Sequence, residues 1–236
     1  QSRSSAASDV YKRQILQNPR LEADDLIAGW IQNHPEDHHT IISSDSDFMQ
    51  LLSSNVVQYN GVTDELYTVE GIFDGRGKQV LDKKTKQPKT TPDPSWLLFE
   101  KCIRGDSSDN VFSAYPGVRK KGSKNKVGIE EAYADRSTQG FAWNNFMLQT
   151  WTDHEGTQHT VRDDYQRNVT LIDLSAQPED VRKIINETVT STIPQNRQMI
   201  GAYFLRFCGK YDLVKLSENS NTWSTILSAA LPERVL

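Results

Sequence analysis

Residues 40–49 constrain the fold more than any other part of this chain, because a strand pattern ends there in a pair of carboxylates. The first three residues of this stretch are β-branched, which favours a buried strand. Residues 48–52 then have the pattern of the first turns of a helix. Asp45 and Asp47 therefore lie where a strand gives way to a helix, at the edge of an open α/β sheet where ligands bind.

The spacing of this pair has two interpretations. Side chains two residues apart in an extended segment point the same way, and two such carboxylates repel each other unless a cation lies between them. One interpretation is a site of oxygen ligands that suits magnesium. The alternative is a helix N-cap formed by Asp45 or Ser46. Taken alone, the stretch favours neither.

A second acidic group opens the first predicted helix, residues 21–33, whose apolar residues follow the helical period. Glu22, Asp24 and Asp25 lie at its start, where acids favour the helix dipole. Three acids in four positions are more than a cap needs. Glu22 and Asp24 would lie about 200° apart on a regular helix. Both can serve one metal only if Glu22 precedes the helix and Asp24 lies near its cap.

A third acidic group is Gly105-Asp106-Ser107-Ser108-Asp109-Asn110, which follows a predicted helix over residues 96–104. Asp106 and Asp109 are three positions apart next to a flexible glycine. The ordinary interpretation is an Asx-type turn. The functional interpretation is another pair of carboxylates directed at the same pocket.

A basic loop follows, in which five of the eleven residues from 116 to 126 are Lys or Arg, against a net charge of −4 for the chain. A charge run is more often a solvated loop. Basic side chains with Gly and Ser backbone donors nevertheless suit a nucleic-acid phosphate backbone, and the acidic cluster is close in sequence. The basic residues are Arg119, Lys120, Lys121, Lys124 and Lys126.

The remaining pattern predicts alternating strands and helices in the first half and mostly helices in the second. A strand is predicted at residues 56–59, and residues 66–69 and 79–81 are predicted to flank the turn of a peripheral hairpin. Further helices are predicted at residues 127–134, 141–151, 178–187, 197–210 and 223–231. Residues 169–174 form a short apolar segment.

Composition narrows the class of protein. A chain of 236 residues with 27 basic and 31 acidic side chains can bury a good core, and any nucleic-acid surface on it must be local. Two cysteines far apart argue against a disulfide framework and fit a reducing compartment. The sequence has no apolar run long enough for a membrane span and no signal-peptide pattern. We therefore expect a cytoplasmic protein without a membrane partner.

Taken together, seven acids from three segments are predicted to converge on one pocket. Such a group would be unstable without cations, and two magnesium ions about 3.5–4 Å apart are expected, with Mn²⁺ as a substitute. A metal pair of this kind supports phosphodiester hydrolysis. The predicted metal ligands are Glu22, Asp24, Asp25, Asp45, Asp47, Asp106 and Asp109.

The three acidic motifs, in this order and at this spacing, resemble those of the 5′ nuclease (flap endonuclease) superfamily. Residues 167–174 and the loop after the Gly-Asp motif are most similar to the T-even phage ribonuclease H branch. The resemblance covers residue 15 to the end. It implies an α/β fold with a PIN-like (Rossmann-like), mostly parallel sheet and flanking helices over residues 15–110. A helical, helix-turn-helix-type DNA-binding region would follow over residues 111–236, and residues 1–14 are interpreted as a non-native or disordered leader.

The resemblance also implies an activity and partners. The activity is 5′-to-3′ exonuclease and flap endonuclease cleavage of DNA and RNA–DNA duplexes, as in RNA primer removal during replication. The implied partners are duplex or flap DNA, RNA–DNA hybrid, a single-strand-binding protein and a sliding clamp. The enzyme would act as a monomer, in an infected bacterial cell if it is phage-encoded. The implied catalytic residues are Asp24, Asp45, Asp47 and Asp109, and the implied duplex-binding turn begins at Pro116, Gly117 and Val118.

The chain departs from the family pattern in two places. An upstream Asp-bearing strand and a basic helical arch have no counterpart in residues 1–21, which predicts an N-terminally truncated fragment. The compact glycine hairpin of the family, which binds potassium, is replaced by a longer loop over residues 119–126. A non-catalytic DNA-structure-binding module is therefore an alternative. A PIN-type ribonuclease is a third, against which the long helical second half argues.

Overall fold

The computed structural model describes residues 16–124, 126–191 and 200–228. The predicted leader and parts of the last two predicted helices, residues 197–199 and 229–231, lie outside the described residues. The chain forms two compact units, of which one spans Asn18–Val189 and the other contains the described helices after it. The predicted boundary at residue 110 falls inside the first unit, and the roles assigned to its two sides stay predictions.

A four-stranded sheet lies in the first unit, in the order β1-β2-β3-β4. Strand β1 (His39–Ile42) pairs in parallel with β2 (Val56–Asn60), and a 3₁₀ helix (Ser46–Leu51) lies in the connection between them. Strands β3 (Glu65–Thr68) and β4 (Gly71–Asp74) continue the sheet in antiparallel pairings.

The α/β class is confirmed, while the pairing of the described strands differs from the predicted mostly parallel sheet. One pairing is parallel and two are antiparallel, because short turns join β2 to β3 and β3 to β4. The partner of β3 also differs from the predicted residues 79–81. The Thr68 hydroxyl accepts hydrogen bonds from the backbone N–H groups of Glu70 and Gly71, at 3.1 and 3.2 Å, and so reverses the chain earlier.

Six helices and a small hairpin complete the described part of the first unit. The helices are α1 (Ala23–Asn33), α2 (Pro94–Arg104), α3 (Ile129–Ala134), α4 (Phe141–Met147), α5 (Val161–Ile172) and α6 (Glu179–Ser191). The hairpin pairs β5 (Thr150–Thr152) with β6 (Gln158–Thr160).

The prediction for residues 141–151 needs correction, and the structure assigns the apolar segment that follows Asn168. The helix predicted over residues 141–151 ends at Met147, and Trp151 with its two threonine neighbours forms β5, which pairs with β6. The Trp151 indole N–H donates to the carbonyl of Ala114 at 2.8 Å, which fixes the hairpin on the core. The apolar segment at residues 169–174 is largely the last turn of α5.

Two apolar clusters hold the first unit together. The main cluster joins α2, α3, α4 and the start of α5, and its members include Phe99, Ile103, Ile129, Phe146 and Val161. Full burial of each such side chain contributes about 1.5–3 kcal/mol. The smaller cluster packs Ile41 of β1, Phe48 of the 3₁₀ helix and Val56 of β2 against α1. It therefore positions the turn that carries Asp45 and Asp47.

Helix α1 packs closely on α6. A Cβ built on Gly29 would lie 2.1 Å from Cγ2 of Ile185, so the two helices approach at the one position of α1 that has no side chain. The Asn33 amide donates to Oδ1 of Asn186 at 2.9 Å. These contacts place the N-terminal end of α1 and its acids.

The second unit contains α7 (Ile200–Lys210), α8 (Val214–Ser217) and α9 (Ser220–Ser228). Cys208 is buried, and its carbonyl accepts a hydrogen bond from the N–H of Leu213 at 2.8 Å. No helix within the described residues has the length and apolar character that a membrane span needs.

Candidate metal centre

The three acids at the start of α1 have different roles, because two of them cap the helix and Asp24 does not. Glu22 is the N-cap, with extended backbone, and its N–H donates to Oδ2 of Asp25 at 3.1 Å. The other oxygen of Asp25 accepts a hydrogen bond from Gln177 at 2.5 Å. Glu22 thus precedes the helix, as a shared metal would require, and Asp24 lies in the first turn.

The turn after β1 uses Asp45 as a helix cap. Its Oδ1 accepts a hydrogen bond from the N–H of Asp47 at 3.0 Å, which confirms the capping interpretation. Gln58 of β2, which is buried, donates to the carbonyls of Ser43 and Asp45 at 3.0 and 2.6 Å. The second oxygen of Asp45 and both oxygens of Asp47 remain outside the cap.

The loop after α2 turns sharply at Gly105, whose φ is +76°. The N–H and carbonyl of Asp106 exchange hydrogen bonds with Val111, both at 2.8 Å. Oδ1 of Asp106 accepts from the N–H of Ser108 at 2.8 Å, which confirms the Asx-type turn. We refer to residues 105–113 as the acidic loop.

A buried amide on α5 joins the end of α2 to the acidic loop. Nδ2 of Asn168 donates to the carbonyls of Cys102 and Phe112, each at 2.8 Å. Oδ1 of Asn168 accepts a hydrogen bond from Arg167 at 3.1 Å. Sequence reasoning gave these two residues no role beyond the family resemblance. Their position on a helix with the period of a core-facing element was the available signal.

Three of the seven predicted acids come together closely. One carboxylate oxygen each from Asp47, Asp106 and Asp109 lies within 4.8 Å of the others, and we call these residues the three-acid cluster. The first two are half-buried and Asp109 is exposed. Among the described residues, Glu22, Asp24, Asp25 and Asp45 do not join this group.

Four of the other predicted acids influence the pKa of Asp24. Burial raises the pKa of Asp24, and the carboxylates of Asp45, Asp47, Glu22 and Asp25 raise it further, in that order. Such a shift is the signature of like charges gathered around a partly buried carboxyl. Asp47 belongs both to this group and to the three-acid cluster, so the two sets of acids adjoin each other.

A lysine that sequence reasoning did not single out lies inside the three-acid cluster. Nζ of Lys101, on α2, contacts Oδ1 of Asp47 and Oδ2 of Asp106. Burial lowers the pKa of Lys101, but hydrogen bonds and charge from these two acids outweigh it and leave the pKa raised. The same contact, with help from Ser108, holds the pKa of Asp106 well below its usual range. A lysine in the last turn of a helix is a weak signal, because it is also typical of an ordinary C-terminus.

The donor set of the three-acid cluster fits a hard divalent cation. Magnesium binds oxygen at about 2.1 Å, so opposite ligands lie about 4.2 Å apart. The oxygens of the three-acid cluster lie within 4.8 Å of one another, so the three residues could hold one such ion. Carboxylate oxygens are the ligands that magnesium prefers.

The predicted DNA-binding loop folds onto the start of α3. The Glu131 carboxylate accepts hydrogen bonds from the N–H groups of Gly122 and Gly128, at 3.1 and 3.0 Å. Lys120 and Lys121 lie 3.6 and 4.0 Å from the carboxylate of Glu130. Such exposed pairs contribute little to stability.

The members of this loop differ in exposure. Val118 packs against the main apolar cluster. The remaining predicted DNA-binding residues are exposed, namely Pro116, Gly117, Arg119, Lys120, Lys121, Lys124 and Lys126. Their side chains are therefore available to a ligand from solvent.

Comparison with known proteins gives partial matches. A 5′-3′ exonuclease of Aquifex aeolicus (strain VF5) is 31% identical over 135 residues, which is 56% of this chain and 40% of that protein. DNA polymerase I of Rhizobium leguminosarum is 28% identical over 134 residues, which is 56% of this chain and 11% of that protein. The chain thus spans less than half the length of these curated relatives. No protein-family model matches it.

A solved structure of the T5 D15 protein co-crystallised with metal ions shares 19% identity, covers 72% of this chain and 60% of its own, and has a TM-score of 0.42. A likeness at this level says nothing of activity. The two curated relatives confirm the resemblance to the 5′ nuclease superfamily that the three acidic motifs indicate.

Proposed function

We propose that this protein is a magnesium-dependent 5′ nuclease that hydrolyses phosphodiester bonds in DNA and RNA–DNA duplexes, as a 5′-to-3′ exonuclease and flap endonuclease. The observation that carries the proposal is the convergence of Asp47 and the two acids of the acidic loop within 4.8 Å. Similarity to a 5′-3′ exonuclease over 135 residues supports it. Removal of RNA primers in replication is the corresponding biological role.

The acids of this chain would form two neighbouring ion sites. Asp47, Asp106 and Asp109 would hold one divalent ion, and Asp24 and Asp45 would provide ligands for a second. Glu22 and Asp25 would contribute from the edge of the pocket. Bound ions of this kind activate a water molecule and stabilise the leaving oxygen.

Two buried amides would keep this pocket in shape. Gln58 holds the turn that carries Asp45 through two backbone carbonyls. Asn168 joins the end of α2 to the acidic loop through the carbonyls of Cys102 and Phe112. Because each donates to backbone carbonyls from a neighbouring element, the acids are oriented before any ligand arrives.

The exposed basic loop would bind the duplex backbone, with residues 116–118 beginning the contact. Its weak pairs with Glu130 can be exchanged for phosphate contacts at small cost. The resemblance extends the proposal to a monomer in the cytoplasm, of an infected bacterium if it is phage-encoded. The resemblance also adds a single-strand-binding protein and a sliding clamp to the proposal as partners.

The test is cleavage of a 5′-labelled flap duplex by this chain, with Mg²⁺ and with EDTA. We expect short labelled products that depend on Mg²⁺, and Mn²⁺ should substitute. Duplex binding without cleavage would favour the alternative function, a DNA-structure-binding module, for which the exposed basic loop is the supporting observation. If the chain neither bound nor cleaved the duplex, both proposed functions would be refuted.

Neutralising the basic loop should weaken duplex binding and flatten its dependence on salt. The variant replaces Arg119, Lys120, Lys121, Lys124 and Lys126 with Gln. Each lost phosphate contact should reduce the slope of log K against log salt by about 0.9. Fluorescence anisotropy with a labelled duplex at several salt concentrations measures this slope.

A matched control changes the same charge elsewhere. It replaces five exposed basic residues between β4 and α2, Arg76, Lys78, Lys83, Lys84 and Lys86, with Gln. We expect its salt slope to stay close to that of the unmodified chain. An equal loss of slope in both variants would mean that net charge, not the basic loop, determines binding.

A further inference from the structure

Lys101 occupies the space between two of the proposed metal ligands. Helix α2 places it in the last turn, where its carbonyl accepts a hydrogen bond from the N–H of Gly105 at 2.8 Å. Its side chain is 24% exposed, and Nζ contacts one oxygen each of Asp47 and Asp106. The ammonium therefore neutralises carboxylates that come from two separate segments.

A divalent ion and this ammonium cannot use these oxygens together. An ion bound about 2.1 Å from an oxygen of Asp47 and of Asp106 would lie close to Nζ of Lys101. At such separations the two positive charges repel each other strongly, even in a well-screened protein interior. One of the two cations must leave.

We propose that Lys101 is a built-in counter-cation, which a divalent metal must displace in order to bind Asp47 and Asp106. The inference rests on the proposed function, because it takes these acids as metal ligands. Lys101 stabilises the metal-free protein and weakens metal binding at the same time. Metal affinity is therefore set partly by a residue that is not a ligand.

The test compares Mn²⁺ binding by the full chain and by Lys101→Met, which keeps an unbranched side chain without the charge. The electron paramagnetic resonance signal of free Mn²⁺ measures the dissociation constant directly. Removing one competing charge should tighten binding about tenfold or more. Lys89→Met is the matched control, since Lys89 pairs with Glu65 of β3 at 3.5 Å, and it should leave Mn²⁺ affinity unchanged.

Thermal unfolding provides a second measurement on the same variants. Without metal, Lys101→Met should melt at a lower temperature, because the acids lose their internal cation. Addition of Mn²⁺ should raise its Tm more than it raises that of the unmodified chain, since tighter binding to the folded state stabilises more. Lys101→Gln is measured in parallel and serves as the test variant if Lys101→Met folds poorly.

The outcomes separate this inference from the proposed function. Equal or weaker Mn²⁺ binding by both Lys101 variants, with clear binding by the unmodified chain, would overturn the counter-cation role and leave the metal centre standing. An absence of Mn²⁺ binding in all variants would overturn the metal centre and the counter-cation with it. Tighter Mn²⁺ binding by both Lys101 variants, with unchanged binding by Lys89→Met, supports the inference.

Discussion

Replacing Asp47 with Asn should lower Mg²⁺-dependent cleavage of a flap duplex about a thousandfold. Asp47 belongs both to the three-acid cluster and to the acids around Asp24, so its loss weakens both proposed ion sites. A metal ion contributes several kcal/mol to a transition state of this kind, and about 4 kcal/mol corresponds to a thousandfold in rate. Single-turnover cleavage of a 5′-labelled substrate measures the effect.

Two companion variants make this result specific. Asp109→Ala should cause a similar loss, and Asp109 is not one of the acids that contact Lys101. Asp37→Asn removes an exposed carboxylate from the turn after α1 and should leave cleavage unchanged. Duplex binding, measured in EDTA, should survive in all three. Full cleavage by Asp47→Asn or Asp109→Ala would refute the metal assignment.

Replacing Gly105 with Ala should destabilise the protein by about 3 kcal/mol and reduce cleavage. With φ +76° and ψ −177°, the backbone at Gly105 lies in a region almost exclusive to glycine, which costs an L-residue about 1–3 kcal/mol. In addition, a Cβ would lie 2.4 Å from the carbonyl oxygen of Val111 and 2.7 Å from backbone atoms of Phe112 and Ser113. Relieving such contacts typically costs about 1–3 kcal/mol and here would move Asp106. Urea unfolding gives the change in free energy.

Gly77 provides a control that has a positive φ but no close contact at the Cβ position. Its φ is +75°, yet a Cβ there would meet nothing within 4 Å. Gly77→Ala should therefore cost only about 1 kcal/mol and leave cleavage intact. If both variants lost the same free energy of unfolding, the close backbone contacts at Gly105 would not contribute to the destabilisation.

The acids of the site could be predicted because each lies at a local boundary. The end of a β-branched strand, the start of an amphipathic helix and a Gly-Asp turn are visible within a few residues of sequence, and Asp47, Asp24 and Asp106 occupy these positions. The strand β1, the helix α2 and the turn at Gly105 follow from the same patterns. Convergence of the acids followed from the rule that ligands bind at the carboxyl edge of an α/β sheet.

Pairings between distant residues were not predictable in this way. The strand partner of β3 depends on a hydroxyl at Thr68 that closes the turn early, whereas a longer hairpin was equally consistent with the alternation of side chains. Trp151 leaves the predicted helix because its indole finds a carbonyl at Ala114, 37 positions earlier. Propensity over a short window carries no information about such a partner.

Which side chains could make a metal centre follows from the amino-acid sequence, because carboxylate chemistry and strand and helix ends are local properties. The arrangement of those acids depends on tertiary packing. It brought Asp47 and the acidic loop within 4.8 Å, and it placed Lys101 against Asp47 across 54 positions of sequence. It also set Asn168 against the acidic loop. Long-range packing between α2, α5 and the sheet determines these contacts, and no local pattern records it.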